Sequence, residues 1–347
     1  MTADDQHDTG GNVLPPGLSL EQLEAALLQS GYPLQTAVSQ LLRTKFHVLP
    51  EWGFHDRVSG TLRTLDMLAL NPLVEVTSDE SRVRPGLALL IECKRSDLPF
   101  VFFSEHDLPG LNSSEFPPVC GLLHDKITMT TDDDRSSWLF RPLHAFELDE
   151  SPFIKNVEAC SVFSKVVRKG STVELSGTEA YSNIMMPLMS AVEHFVKVSN
   201  PPSTFHWFDA FLVVPIAIID APMVAFDATE SEGRVRYTSW HRVFRNEPGE
   251  EARVWAHLGS TSAVDVVHRD YFDTYLTDHL MPFAQRFAEL TVQHNHELAT
   301  GKAFASGLGE NSWTNIEQRM RPVEIRKGPP ARLPPRKPKK SKSSEES

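Results

Sequence analysis

Apolar positions recur along this chain with two different periods, and the changes between them mark the predicted elements. Apolar residues three or four apart predict a first helix over 19–30 and a second from about Pro33. From residue 45 the period shortens to that of strands. The other predicted elements are strands over 45–54, 61–70, 86–94 and 209–219, a helix over 176–198 with a kink at Pro187, an alternating strand over 235–245 and a closing helix over 271–298.

The order of these elements predicts the fold class. A helix, three strands, a second helix and a fourth strand follow one another, and between 96 and 176 lies a stretch without a clear pattern. We interpret that stretch as a large insertion with a few short elements. The strand 86–94 is apolar on both faces and should lie centrally in the sheet. The sequence therefore predicts an α/β protein with one domain over 18–310, and disordered segments over 1–17 and 319–347.

Charge is divided unevenly along the chain. The 347 residues carry a formal net charge of −12, but residues 1–318 hold 24 Lys and Arg against 43 Asp and Glu, while 319–347 is rich in Lys, Arg and Pro. An acidic body does not bind nucleic acid through its overall field, because Lys and Arg supply most of the non-specific affinity for phosphate. Any nucleic-acid contact is therefore expected to be local or carried by the tail, through Lys337, Lys339 and Lys340.

Hydropathy and cysteine content indicate the compartment. The longest apolar run, 211–219, is much shorter than the roughly 18 residues of a membrane span, and the N-terminal segment has no apolar region typical of an export signal. The cysteines are odd in number and widely spaced, which favours reduced thiols. The sequence thus predicts a cytoplasmic protein without membrane contact. The three cysteines are Cys93, Cys120 and Cys160.

Charged residues follow the apolar strand 86–94 without an intervening turn signal. Glu92 and Lys94 are two residues apart and should project from one face, whereas Cys93 should face the other way. Such charges cost several kcal/mol at the end of a buried strand unless they are paired, hydrogen-bonded or bound to a metal. Asp66, the only acidic residue of the neighbouring predicted strand, supplies a second carboxylate. A strand-end ion pair is the structural alternative for Glu92 and Lys94.

Two converging carboxylates and a lysine predict a divalent-metal site. Close carboxylates are costly to ionise together, and hard oxygen ligands with open water positions select Mg²⁺ or Mn²⁺. Such a cation would orient a phosphodiester and lower the pKa of a water molecule. Lys94 would hold that water or offset the negative charge that builds on the phosphorus centre. The chemistry that this set of residues indicates is phosphodiester hydrolysis.

The element order, with Asp on the second strand and E-x-K on the third, resembles the PD-(D/E)xK superfamily of restriction-endonuclease-like nucleases. The stretch from Gly31 to Ala69 also resembles the opening of several uncharacterised prokaryotic branches of it. The resemblance implies an α-β-β-β-α-β core with a mixed central sheet flanked by helices. It implies that Asp66 and Glu92 bind Mg²⁺, with Mn²⁺ as a second choice, that the Cys93 carbonyl is a third ligand, and that Lys94 is the catalytic lysine.

The chain departs from that pattern at Gln35, where such branches often carry a glutamate. Glutamine can hold a metal-bound water but brings no charge. Glu51 on the first predicted strand is an alternative acidic contributor, and Glu21 and Glu24 are more distant ones.

The predicted function is metal-dependent nucleic-acid hydrolysis, with DNA preferred over RNA. The alternative is a non-catalytic binding or scaffold protein of the same fold, acting on protein partners through its insertion or tail. Cutting both strands of a duplex would favour a homodimer. Arg95 is a further candidate for nucleic-acid binding, and the group His241, Arg242 and Arg245 forms either a phosphate contact or a solvated strand face.

Overall fold

The computed structural model describes most of the chain between Val13 and Ala305. Lys337, Lys339 and Lys340 lie outside the described residues, so the predictions for the tail stay predictions. By its contacts the chain divides into a larger unit, 1–128 and 139–303, and a smaller one, 129–138 and 304–347. The described ranges are 13–56, 59–74, 81–105, 116–131, 137–227, 233–247 and 260–305.

Helices and strands are interspersed along the described chain. The helices are α1 (Leu20–Gln29), α2 (Tyr32–Leu42), α3 (Pro142–Ala145), α4 (Pro152–Lys155), α5 (Gly177–Ala180), α6 (Met186–Ser199), α7 (Phe272–Thr274), α8 (Met281–Gln293) and α9 (Asn295–Thr300). The strands are β1 (His47–His55), β2 (Leu62–Pro72), β3 (Val83–Arg95), β4 (Phe100–Ser104), β5 (Val119–Cys120), β6 (Ile127–Thr131), β7 (Ser137–Phe140), β8 (Ala159–Cys160), β9 (Val162–Lys169), β10 (Thr172–Ser176), β11 (Phe208–Asp220), β12 (Met223–Asp227), β13 (Arg234–Tyr237), β14 (Trp240–Glu247), β15 (Ser260–His268) and β16 (Lys302–Ala305).

The predicted mixed α/β class is confirmed, and β3 lies inside the main sheet as expected. That sheet has the order β1-β2-β3-β11-β15-β14-β8, with β5 paired to β11 beside it. β3 is antiparallel to β2 and parallel to β11, and α2, β1, β2, β3, α6 and β11 follow one another in the predicted order. A second sheet has the order β10-β9-β4-β12-β13, and a third the order β16-β6-β7.

Helices cover both faces of the main sheet. Leu90 of β3 and Val213 of β11 belong to a core cluster with Leu188 and Phe195 of α6. The alternate β3 residues, such as Leu89, are also fully buried but lie outside that cluster. Since α2 and α8 also contact β3, we assign them to the opposite face. Burial on both faces explains why the sequence of β3 is continuously apolar.

A π-helical turn lies just before Pro187, where the sequence predicts a kink. The helix over 176–198 consists of α5, a π turn over Tyr181–Met185 and α6. Proline lacks a backbone N–H, and its ring crowds the carbonyl one turn earlier, so the helix widens before it. The predicted closing helix is divided in the same way, by a π turn over Tyr275–Leu280 just before Pro282.

The prediction of one alternating strand over 235–245 is wrong. The segment forms two strands, β13 in the second sheet and β14 in the main sheet, with Thr238 and Ser239 between them. No Gly or Pro marks the break. The interpretation of 96–176 as an insertion with a few short elements holds only partly, since β4 and β9 extend the second sheet and β8 joins the main one.

Arg242 is neither solvated nor able to contact phosphate, which corrects the sequence interpretation. Its Nε and Nη2 donate to the two carboxylate oxygens of Asp265 at 2.7 and 2.9 Å, and Nη1 donates to the Phe153 carbonyl at 3.0 Å. The Tyr275 hydroxyl donates to Asp265 Oδ2 at 2.7 Å. Arg242 and Asp265 are 1% and 0% exposed. Arg245, by contrast, is exposed and lies over the Tyr181 ring.

His241 is also buried, and burial is the main reason that it stays neutral near pH 7. Its Nε2 lies 3.1 Å from Ser104 Oγ and its Nδ1 3.2 Å from Thr238 Oγ1. Burial lowers the pKa of His241 to about 4; the nearby Glu158 carboxylate opposes this and the Arg236 guanidinium adds to it.

We expect His241 to make the protein sensitive to acid. Its folded pKa lies below the ordinary value of 6.5, so between pH 6.5 and 4 the unfolded chain binds more protons. Stability from this residue is therefore complete above pH 6.5 and falls by up to about 3 kcal/mol as the pH drops through that window. Urea unfolding of the parent and of His241→Asn at several pH values measures the difference in slope. His206→Asn, at an exposed histidine, is the control, and an unchanged slope in His241→Asn would contradict the prediction.

In the described part of the chain, no helix is long and apolar enough to cross a lipid bilayer. The three cysteines are buried free thiols, as the sequence predicts.

Candidate functional site

The candidate site lies where the main sheet opens beside β3. The ladder between β2 and β3 ends at the pair Met67 and Ile91, whereas the ladder between β3 and β11 continues to the pair Arg95 and Asp220. Beyond Ile91, β3 therefore has a paired neighbour on one side only. Asp66 and Glu92 are the next residues on β2 and β3 at this opening.

Just beyond the end of the β2–β3 ladder, the side chain of Asp66 accepts a hydrogen bond from the backbone of β3. Its Oδ2 accepts the backbone N–H of Cys93 at 2.6 Å. Burial raises the pKa of Asp66, and the nearby Glu51 carboxylate adds to this, while the Cys93 N–H and Lys94 oppose it. The side chain is thus fixed against β3 in a partly desolvated place.

Glu51 faces Asp66 across an irregular point of β1. The pairs on either side of them, Pro50 with Met67 and Trp52 with Leu65, are in register, but Glu51 has φ of 48° in the left-handed region. Such a conformation is strained for a residue with a side chain. The strained backbone of β1 is therefore at Glu51, one of the two carboxylates that face each other here.

Gln35 connects α2 to both strands. Its Nε2 donates to Glu51 Oε1 at 2.7 Å and to the Asp66 carbonyl at 3.0 Å. The sequence indicated Gln35 through the family resemblance and Glu51 through its place on the first predicted strand. The structure brings these two side chains together. Glu21 and Glu24, the more distant candidates, lie exposed on α1.

Glu92 and Lys94 project from one face, as their spacing predicts. Lys94 Nζ lies 2.5 Å from Glu92 Oε1. Glu92 is only 6% exposed, and its other oxygen, Oε2, is buried and has no hydrogen-bond partner among the residues that the structure describes. Burial, with the Asp66 charge as the second cause, raises the pKa of Glu92 to about 7, although Lys94 opposes the shift. The carboxylate is therefore costly to ionise as it stands.

These contacts show which donor groups the predicted metal site contains. Among the described residues, no group of three or more His, Cys, Asp or Glu side chains could hold a metal ion. Two carboxylates do meet, at Asp66 and Glu92, and Glu92 Oε2 is a buried acceptor without a hydrogen-bond partner in the described part of the chain. Mg²⁺ commonly takes one or two carboxylates and keeps several waters. The residues fit such a site, and the Mg²⁺ or Mn²⁺ assignment stays a prediction.

Arg95, the described candidate for nucleic-acid binding, contacts a different set of residues. It lies 3.6 Å from both Asp97 and Asp220. Asp220 also pairs with Arg269 at 3.1 Å. Asp220 was not among the residues predicted for the site, although its place directly after the apolar run 211–219 repeats the arrangement of Glu92 on β3.

Comparisons with protein-family models, with curated proteins and with solved structures found no match for this chain. The structure itself defines the class as a mixed α/β protein whose polar site lies at the carboxyl end of an internal strand.

Proposed function

We propose that the protein is a metal-dependent nuclease of the PD-(D/E)xK type, acting on the phosphodiester bonds of nucleic acids, with DNA preferred over RNA. The observation that carries the proposal is the Glu92 carboxylate. One oxygen pairs with Lys94, and the other is buried beside the Asp66 charge without a partner in the described ranges of the chain. A buried, unsatisfied acceptor costs about 1–3 kcal/mol, and more when it is charged. A bound cation would offset that cost.

The order of the core elements adds support. The succession of α2, β1, β2, β3, α6 and β11, with the carboxylates on β2 and β3, is the arrangement that the resemblance implies. The E-x-K triplet lies at the carboxyl end of β3, beside the opening between β2 and β3.

Asp66 and Glu92, with the Cys93 carbonyl as a third ligand, would hold Mg²⁺ or Mn²⁺, which would polarise the phosphodiester and lower the pKa of a bound water. The Cys93 N–H fixes Asp66, so this carboxylate needs little reorganisation to act as a ligand. Lys94 is 32% exposed, and its ammonium group can therefore reach a substrate phosphate while it remains near Glu92. There it offsets negative charge in the transition state. Gln35 holds Glu51 and β2 in place, and its amide oxygen can orient a water.

The proposal is tested by cleavage with the purified full chain. The substrates are supercoiled DNA, linear duplex DNA, single-stranded DNA and RNA, each with Mg²⁺, Mn²⁺ or EDTA. We expect metal-dependent cleavage that falls by at least about 100-fold in Asp66→Ala, because the variant loses a pre-organised charge at the reacting centre. Asp209→Ala is the matched control, since Asp209 lies at the opposite end of β11 and pairs with Arg84.

Three results would contradict the proposal. Cleavage that persists in EDTA, or that is equal in Asp66→Ala and the parent, would remove this site from the reaction. An absence of cleavage on every substrate with every metal would favour the non-catalytic binding or scaffold protein.

A further inference from the structure

A groove lies where the chain passes three times between the main and the second sheet. The passages are 95–97, 220–223 and 237–239, and the turn at 268–270 closes the fourth side. The groove has a volume of about 710 Å³. It adjoins the carboxyl ends of β3, β11 and β15, which run parallel in the main sheet. Ligands of open α/β sheets commonly bind at such ends.

Hydrogen bonds between the passages fix the walls of this groove. Ser96 N–H donates to the Asp220 carbonyl at 3.1 Å, and Thr238 N–H donates to the Met223 carbonyl at 3.1 Å. His268 N–H donates to the Ser239 carbonyl at 2.8 Å. The backbone donors thus bond across the walls, and the groove is formed before any ligand arrives.

The lining does not suit a bare phosphate. Asp220 lies between Arg95 and Arg269, and Asp97 and Asp270 pair with these arginines from the outside. Three carboxylates therefore face two guanidinium groups, and an added anion would meet net repulsion. The same alternation of acceptors and donors does match the edge of a nucleobase, which is neutral and carries both kinds of group.

The groove lining also contains an aromatic side chain. Tyr237 borders the groove and is 85% exposed, so its ring face is open to a partner. Bases stack on such rings regardless of their identity, and carboxylate and guanidinium groups then bond to the base edge. A base reaches such a groove only when it is unpaired.

We infer that this groove binds an unpaired base of a single-stranded nucleic acid, with Tyr237 stacking on the base and Asp220, Arg95 and Arg269 contacting its edge. The base-binding role itself does not require catalysis. Its place in the reaction rests on the proposed function: Arg95 and Lys94 are neighbours at the carboxyl end of β3 with side chains on opposite faces of the strand, so the base would belong to another nucleotide of the strand that is cut. The inference makes single-stranded DNA, or a duplex with an unpaired end, the preferred substrate class.

Binding is measured by the fluorescence anisotropy of a labelled single-stranded DNA oligonucleotide with the full chain in EDTA. A salt concentration of about 200 mM weakens non-specific phosphate contacts. We expect Tyr237→Ala to weaken binding by at least about five-fold, the lower end of what one stacked base contributes. A fully paired duplex of the same sequence should bind more weakly than the single strand, with no change on Tyr237→Ala.

Phe205→Ala is the matched control, because Phe205 is an exposed aromatic residue outside the groove lining. Equal affinities of Tyr237→Ala and the parent for the single strand would overturn the inference. So would equal affinities of the parent for single strand and duplex. A loss of the same size in Phe205→Ala would also overturn it, since stacking would then not be confined to the groove.

The binding assay is independent of the cleavage assay. Tyr237-dependent binding without any cleavage would leave the groove in place and remove the nuclease. Cleavage that depends on Asp66, with binding that ignores Tyr237, would leave the nuclease in place and remove the base-binding groove.

Discussion

Replacement of Lys94 by alanine is expected to lower the cleavage rate by about 100- to 1,000-fold, the usual effect of removing one pre-organised group that stabilises transition-state charge. Lys94 is paired with Glu92 at 2.5 Å and also acts electrostatically on Asp66. Its side chain is partly exposed, so truncation opens no internal cavity. Because Lys94 holds down the pKa of Glu92, its loss raises that pKa further and leaves Glu92 more often protonated. The loss of the Lys94 charge and the protonation of Glu92 therefore both lower the cleavage rate.

Cleavage rates at saturating Mg²⁺, together with thermal unfolding of each variant, check this expectation. Lys165→Ala is the matched control, since Lys165 pairs with Glu179 at 2.7 Å on the second sheet. It loses the same kind of ion pair away from the site and should cleave as the parent does. If Lys94→Ala cleaves as fast as Lys165→Ala, then Lys94 and Glu92 form a strand-end ion pair and nothing more.

The part of the site on β3 could be predicted from the sequence because it depends on local geometry alone. A strand places residues two apart on one face, so Glu92 and Lys94 had to meet. The role of the Cys93 N–H could not be predicted. It depends on where the ladder between β2 and β3 ends, and that register results from packing of the whole sheet. The strained conformation of Glu51 likewise depends on the packing of the whole sheet and could not be predicted.

The fold was predictable where a segment is long and evenly patterned. The strand predicted over 86–94 is observed over Val83–Arg95, because a strand buried on both faces is apolar throughout. The insertion was not, because several of its strands are short and pair with distant segments, although β9 and β10 form a local hairpin. β8 has two residues and binds β14, more than 80 positions later in the chain. No local pattern encodes such a partner.

The burial of Arg242 could not be read from the local sequence either. Its replacement should have the largest effect on stability. Arg242→Met is expected to lower the free energy of unfolding by about 3–5 kcal/mol, the usual result of breaking a buried ion pair. The reason is that Asp265, which is 0% exposed, would keep its charge without the guanidinium that neutralises it. Methionine preserves most of the apolar stem, so the loss would report on the charge. Denaturant unfolding measures it.

Arg245→Met, on the same strand but exposed, is the control and should change stability by less than about 1 kcal/mol. A second variant separates charge from packing. When both members of a buried pair become apolar, stability is often regained, so Arg242→Met with Asp265→Leu should be more stable than Arg242→Met alone. If the double variant is instead the less stable of the two, Asp265 stabilises the fold chiefly through its bond to the Tyr275 hydroxyl. The cost of Arg242→Met would then not arise from an unpaired charge.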